Sequence, residues 1–312
     1  MSNKVKTLTK NAHALGIFFV ILDSLAFSLM SVSVRMAGDL PTFQKAFFRN
    51  AIAAVIALVS LSRTQEGFHV KKGSWPLLFA RAAFGTTGLV LNFWAIDHIA
   101  LADANILNKM SPFFAMIASI VLLAEVPNSF EWVTLVIGFC GAAFIVKPTA
   151  GIASLPALLA LVGGMGAGIA YSCVRKLGNK GERGPVIVAF FSVFSCLVCL
   201  PSMVINFVPM TPRQWFFLIM AGVCGAAGQF TVTRAYQLAP AKEISVFDYS
   251  QVMFASIWGF MFFGEIPDRW SVLGYIIIIT TAVVKWYYNV FVQDKKKKVR
   301  TSAAGTRSHG AA

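Results

Sequence analysis

Charge is what this chain has least of. Of 312 residues, 13% are charged and 57% are hydrophobic, where a soluble domain carries roughly 25% charged residues. So thin a polar complement excludes a water-facing surface, and the solvent it fits is a bilayer. Long polar stretches are also missing, which excludes a separate soluble domain. Acids are scarcer than bases, 13 against 27, for a net charge of +14. On a soluble protein that excess would suggest nucleic acid. Here the bases gather in certain loops and in the tail "DKKKKVR", as the positive-inside rule and contact with anionic lipid require. No nucleic-acid partner is expected.

Reactive and ligating side chains are few. The five cysteines (Cys140, Cys173, Cys196, Cys199, Cys224) all lie in apolar segments. Cys196 and Cys199 form C-x-x-C without a second pair, so they read as small residues in a membrane helix. The four histidines are scattered and suggest no metal site. The Gly-rich "GGMGAG" (Gly163 to Gly168) follows no strand and precedes no Lys-Ser/Thr, so it reads as helix packing rather than a phosphate loop. No nucleotide-binding motif is present, which argues against direct ATP drive. No cofactor and no metal are expected.

What the chain has is apolar runs. Ten segments approach the roughly 20 residues that span a bilayer: 13–34, 43–62, 74–96, 102–123, 130–147, 154–175, 185–206, 213–236, 242–263 and 270–291. The basic, then apolar N-terminus has no clear small-x-small cleavage site and is read as a retained first helix. An even number of spans puts both ends on one side. With the N-terminus inside, the inner loops hold Arg63, Lys71, Lys72, Arg175, Lys176, Lys180 and Arg183 plus the tail; the outer ones hold Arg35, Lys147, Arg213 and Arg269. The expectation is an all-α, multi-pass inner (plasma) membrane protein with both termini cytoplasmic.

The two halves repeat. Glu125 and Glu265 are 140 apart (265 − 125), as are Pro127 and Pro267, Gly85 and Gly225, Gly88 and Gly228, Ala95 and Ala235, and Phe114-Ala115 and Phe254-Ala255. "SVR" (Ser33 to Arg35) meets "CVR" (Cys173 to Arg175) at the same offset. Only the second helix departs, "AFFR" meeting "AFFS" at 143, which implies a short insertion near Gly181. Five spans per copy invert the second relative to the first, an arrangement of many secondary transporters, with a site near the midplane. The expected division is 1–12 cytoplasmic segment, 13–147 first repeat, 154–291 second repeat, and 292–312 basic, disordered tail.

Ten helices in two five-helix repeats, each with a Glu-containing turn before its fifth helix, resemble the EamA family of the drug/metabolite transporter superfamily. The "FFRN" of Phe47 to Asn50 also looks like that family's second-helix Arg motif. The resemblance covers about residues 14–291. It implies a carrier with a central cavity and alternating access, moving amino acids, nucleosides, cofactors or other metabolites, many outward. "AFFS" lacks the Arg, so Arg49 has no counterpart by sequence.

Ionisable residues inside spans face the protein interior or a wet cavity. Lys45 and Arg81, near helix ends, are expected to snorkel; Arg35, Arg175 and Arg234 to anchor or gate; Glu125 and Glu265 to brace turns. The deeper polar patches are Asn105, Asn108, Lys109 and Pro112 in the fourth helix and Ser245, Asp248, Tyr249 and Val252 in the ninth. Each set shares one face. At the offset of 140, Asn108 aligns with Asp248 and Lys109 with Tyr249. The expected charged centre is Lys109 with Asp248, flanked by Asn108 and Tyr249; the bland account is an ion pair that only sets helix register. Arg49, Trp94, Tyr171 and Trp258 complete the expected pathway, with Asn92 and Gln229 at buried polar positions. Asp23, a lone acid deep in the first helix, and Asp248 are candidates for proton coupling. Asp103 is a further ionisable group in a span, and Pro112 is expected to kink the fourth helix and free a carbonyl. The expected function is secondary transport of a small amphipathic or zwitterionic metabolite, driven by an ion gradient or exchange. The expected partners are the cargo, a coupling proton, lipid and a second copy in a homodimer. An intramembrane enzyme or a channel or sensor is the alternative, but no compact His/Asp/Ser constellation or filter loop supports one.

Overall fold

The computed structural model describes residues 2–64, 67–123, 128–146, 154–238 and 245–288, and among these every regular element is helical. In chain order the helices are α1 Ser2–Met36, α2 Thr42–Ser62, α3 Trp75–Ile96, α4 Leu101–Asn108, α5 Ser111–Leu123, α6 Ser129–Val146, α7 Leu155–Asn179, α8 Gly184–Ile205, α9 Pro212–Leu238, α10 Ser250–Phe263 and α11 Arg269–Tyr287. A 3₁₀ turn, Ser245–Tyr249, leads into α10. Eight spans are long and apolar enough to cross a membrane, α4 and α5 counting together as Leu101–Leu122. The apolar stretch Ser129–Ile145 within α6 and the 3₁₀ turn with α10 supply the shorter two. The chain is a multi-pass membrane protein of ten spans.

Helix ends follow local chemistry. Prolines stand in the first turns of α3, α7 and α8, where a missing N–H costs nothing. Before α6, Asn128 and Glu131 form a reciprocal capping box, 2.9 and 2.8 Å. Before α11, Asp268 accepts from the Ser271 N–H at 2.8 Å. The two caps sit at equivalent repeat positions (268 − 128 = 140).

Packing obeys the inverted repeat. The α1–α9 contact is matched by α7–α3, α10–α1 by α5–α7, and α2–α9 by α8–α3. Three contacts pair equivalent helices across the pseudo-two-fold: α2–α8, α6–α11 and α4–α10. The Gly-rich run of α7 makes the closest approaches. A Cβ on Gly163 or Gly166 would meet the Gly88 or Phe84 carbonyl of α3, and one on Gly164 or Gly168 the Leu107 or Ser111 carbonyl beside the α4–α5 break. Small residues there let backbones touch, which supplies association where apolar surface cannot.

Two expected elements differ. The fourth span is not one helix but two, broken at Lys109 and Met110. Pro112 has no N–H to give Asn108, and its ring clashes with that carbonyl, so α4 stops and α5 restarts. The ninth span opens with the 3₁₀ turn rather than an α-helix; its expected start at 242 lies outside the described residues, as do Glu125, Pro127 and the tail. The expected insertion is real and lies in α7: α1 ends at Met36 and α7 at Asn179, 143 later (179 − 36). Three added residues, nearly one helical turn, carry α7 beyond its counterpart.

Candidate functional site

The break in the fourth span builds the centre of the molecule. With the helix interrupted, the Lys109 carbonyl has no helical donor, and the Tyr249 hydroxyl donates to it at 3.1 Å. Lys109 Nζ, nearly buried, lies 3.1 Å from Asp248 Oδ1. Asp23 of α1 is fully buried and within electrostatic reach of both Asp248 and Lys109. Among the described residues, neither Asp23 oxygen has a hydrogen-bond partner. Two acidic side chains thus stand near one ammonium, and Asp248 makes the ion pair. The Ser24 hydroxyl donates to the Asp248 carbonyl at 3.3 Å, tying the 3₁₀ turn to α1. Asn105, one turn before Lys109, accepts from Gln251 of α10 and from Ser31 of α1.

Beside this cluster is a cavity of about 80 Å³, lined among others by Phe27, Arg49, Arg81, Asn92, Asn108, Lys109, Tyr171 and Gln229. It has room for a few waters and falls short of the ~300 Å³ or more that encloses a drug-sized ligand. Arg49 is fully buried; it donates to Asn50 Oδ1 at 2.7 Å and the Gly225 carbonyl at 3.2 Å. Arg81 donates to Gln229 Oε1 at 3.1 Å, and its guanidinium lies 3.8 Å from the centre of the Phe191 ring.

Of the expected pathway residues, Arg49, Asn108, Lys109 and Tyr171 line the cavity. Asp248 and Tyr249 stand behind Lys109. Trp94 is elsewhere: it stacks on His98, centroids 3.9 Å apart, at the end of α3. Trp258 donates to the Ser28 hydroxyl at 3.1 Å. Asp103 accepts from the Tyr275 hydroxyl at 2.6 Å, joining α4 to α11. Among the described residues no set of three His, Cys, Asp or Glu could hold a metal, and all five cysteines are free.

Two expectations fail on burial. Lys45 and Arg81 do not snorkel. Lys45 is fully buried because the turn after α3 covers it, with Asp97 2.7 Å away. Burial pushes the Asp97 carboxyl above its ordinary range, while Lys45 pulls it back. Arg81 sits in the second turn of α3 and points inward, where Gly85 leaves it room. Its signal was available: Gly85 one turn later is the repeat partner of Gly225, which seats Arg49.

The two ends of the bundle differ. At one, Arg35 pairs with Glu265, whose other oxygen accepts from the Leu101 N–H at 2.9 Å, and Lys45 pairs with Asp97. Glu265 thus braces α1 to the start of α4. At the other, Arg183 donates to the Gly67 carbonyl, Lys180 to Gly73 and Lys176 to Leu122, while Glu182 accepts from the Lys71 N–H.

Comparison with known proteins gives a consistent picture. A model of the EamA-like transporter family matches residues 14–147 and 154–286. The pseudopaline exporter CntI of Pseudomonas aeruginosa is 34% identical over 275 residues, covering 86% of this chain and 94% of that one. The riboflavin transporter of Vibrio cholerae is 28% identical, covering 87% and 93%. Human solute carrier family 35 member G1 is 26% identical, covering 88% and 80%. A crystal structure matches with TM-score 0.63 at 14% identity, covering 88% of this chain and 96% of that one, a likeness of fold alone.

Proposed function

The chain belongs to the EamA-like transporter family, and from that premise we propose that it is a secondary carrier moving a small zwitterionic metabolite by alternating access. The observation that carries this is the Lys109–Asp248–Asp23 cluster, buried where the two inverted repeats meet and flanked by a polar cavity. Ionisable groups this deep in a span are costly and mark transport pathways.

Asp23 and Asp248 offer two acids against the single ammonium of Lys109, so with both ionised one negative charge is left over. A proton or the cation of the cargo neutralises the surplus, which makes the two acids the coupling site. The cargo enters when the cavity widens toward one side, and Asn108, Tyr171 and Arg49 orient it. The relatives named as an exporter of pseudopaline and a transporter of riboflavin support a small polar metabolite. The basic end with Arg183, Lys180 and Lys176 supports a cytoplasmic placement for that end and for both termini, in the inner membrane.

The test is reconstitution in proteoliposomes with counterflow of labelled amino acids and related zwitterions across imposed pH gradients. Wild type is expected to respond to the gradient and Asp23→Asn to lose that response. Transport by Asp23→Asn and Asp248→Asn unchanged at every pH would remove the coupling role.

A further inference from the structure

The charges that face the cavity do not balance. Its ionisable cations are Arg49, Arg81 and Lys109, and among the described residues no Asp or Glu lines it. Lys109 has Asp248 behind it. The two arginines are different: among the described residues, neither forms an ion pair with a carboxylate. Both line the same cavity. Arg81 Nε is buried without a hydrogen-bond partner, and so is Asn92 Oδ1 on the same wall.

Leaving two guanidiniums buried without a counter-charge is costly unless something compensates. Yet the fold builds their seats. Gly85 and Gly225 occupy one repeat position, and a side chain at either would collide with Arg81 or Arg49 respectively. Arg49 comes from α2 of the first repeat, and Ser192 stands at the matching place in α8. Arg81 comes from α3 and Ala221 stands opposite it. The two arginines are thus unrelated by the repeat, but each uses the same glycine position to reach the cavity. Phe191 holds the Arg81 plane by stacking.

We propose that Arg49 and Arg81 form an anion subsite for a carboxylate of the cargo, which makes the substrate a metabolite that carries at least one free carboxylate. This rests on the carrier reading above. Guanidinium forks match the planar carboxylate by paired N–H donors. Phosphate is less suited, because the backbone N–H groups around "GGMGAG" lie inside α7 and are spent on the helix.

The experiment measures binding and transport separately on the full chain. The probes are glutamate, iminodiacetate, glutamate dimethyl ester and O-phosphoserine. Binding is read by calorimetry in detergent and movement by counterflow in vesicles. Wild type is expected to prefer the free acids over the ester by about tenfold or more. Arg49→Gln and Arg81→Gln are expected to erase that preference, with partial recovery in the lysine variants, which keep the charge without the fork. Equal binding of acid and ester, binding of none of the probes, an intact preference in both glutamine variants, or O-phosphoserine binding above glutamate would each overturn the assignment. Should the glutamine variants fail to fold, the acid-to-ester ratio of wild type decides. Acid preference without movement in vesicles would overturn the carrier reading alone and support the subsite; movement without acid preference would overturn the subsite alone.

Discussion

Lys109 and Tyr249 occupy the same position in the two repeats (249 − 109 = 140), and they touch: the Tyr249 hydroxyl donates to the Lys109 carbonyl at 3.1 Å. Equivalent residues of inverted copies meet only on the axis that relates them. The pseudo-two-fold therefore passes through the break in the fourth span, beside the buried ion pair.

Removing one member of that pair strands the other. Lys109→Met is expected to lower stability by about 3–5 kcal/mol, as for a broken buried pair, read as a fall in the thermal midpoint in detergent. Lys109→Met with Asp248→Asn is expected to regain most of it while remaining inactive. If the double variant is no more stable than the single, the pair does not set the stability of this centre.

The Arg35–Glu265 contact latches one end of the bundle. Glu265→Ala removes both the ion pair and the acceptor for the Leu101 N–H. A partly exposed pair is worth up to about 1 kcal/mol, so the closed-to-open ratio at that end falls by up to roughly fivefold. With native cysteines removed, Ala167→Cys in the cavity wall is expected to react faster with a maleimide added from that side. Unchanged labelling would mean that the latch does not gate entry. By the repeat, Arg175 and Glu125 are the counterparts for the opposite end.

Two glycines of α7 separate packing from propensity. Gly178 has open space where a Cβ would go, whereas at Gly168 that atom would strike the Ser111 carbonyl. Gly178→Ala, in the last turn of α7, is expected to raise stability slightly, by at most the ~0.5–1 kcal/mol gained in a helix interior. Gly168→Ala is expected to lower it and to slow transport. Equal effects from the two would show that α7 does not pack by backbone contact.

Tyr275→Phe tests the strut from α4 to α11. It leaves Asp103 without that donor, and a lost hydrogen bond to a charged group costs about 1.5–3 kcal/mol. The expected result is a lower thermal midpoint with substrate affinity unchanged, since neither residue lines the cavity. A change in affinity would place Asp103 in the pathway after all.

The spans, the repeat and the ion pair were legible because each leaves a linear mark: apolar length, a fixed offset, and polar faces at helical spacing. Pro112 announced the break, but not that Tyr249 would donate to the Lys109 carbonyl there. Arg81 was misread because nearness to a helix end in sequence says nothing of what covers that end in space. The same holds for Lys45, which is buried by the turn carrying Asp97. Trp94 and Trp258 carry no directional mark at all, so composition could not say that one stacks on His98 and the other bonds Ser28.

The backbone contacts of α7 have a mechanical side. Helices that meet through bulky residues interlock as ridges in grooves, and moving one past another means lifting every tooth. The glycine face of α7 has no teeth where it meets α3 and the α4–α5 break. In the carrier proposed above it would be the plain bearing of the bundle, a face on which these elements could turn without lifting side chains past one another. A side chain introduced at Gly163 would act as a key in that bearing, meeting the Gly88 carbonyl of α3, whereas one at Gly164 would press on the Leu107 and Asn108 carbonyls and so on the break that carries Lys109.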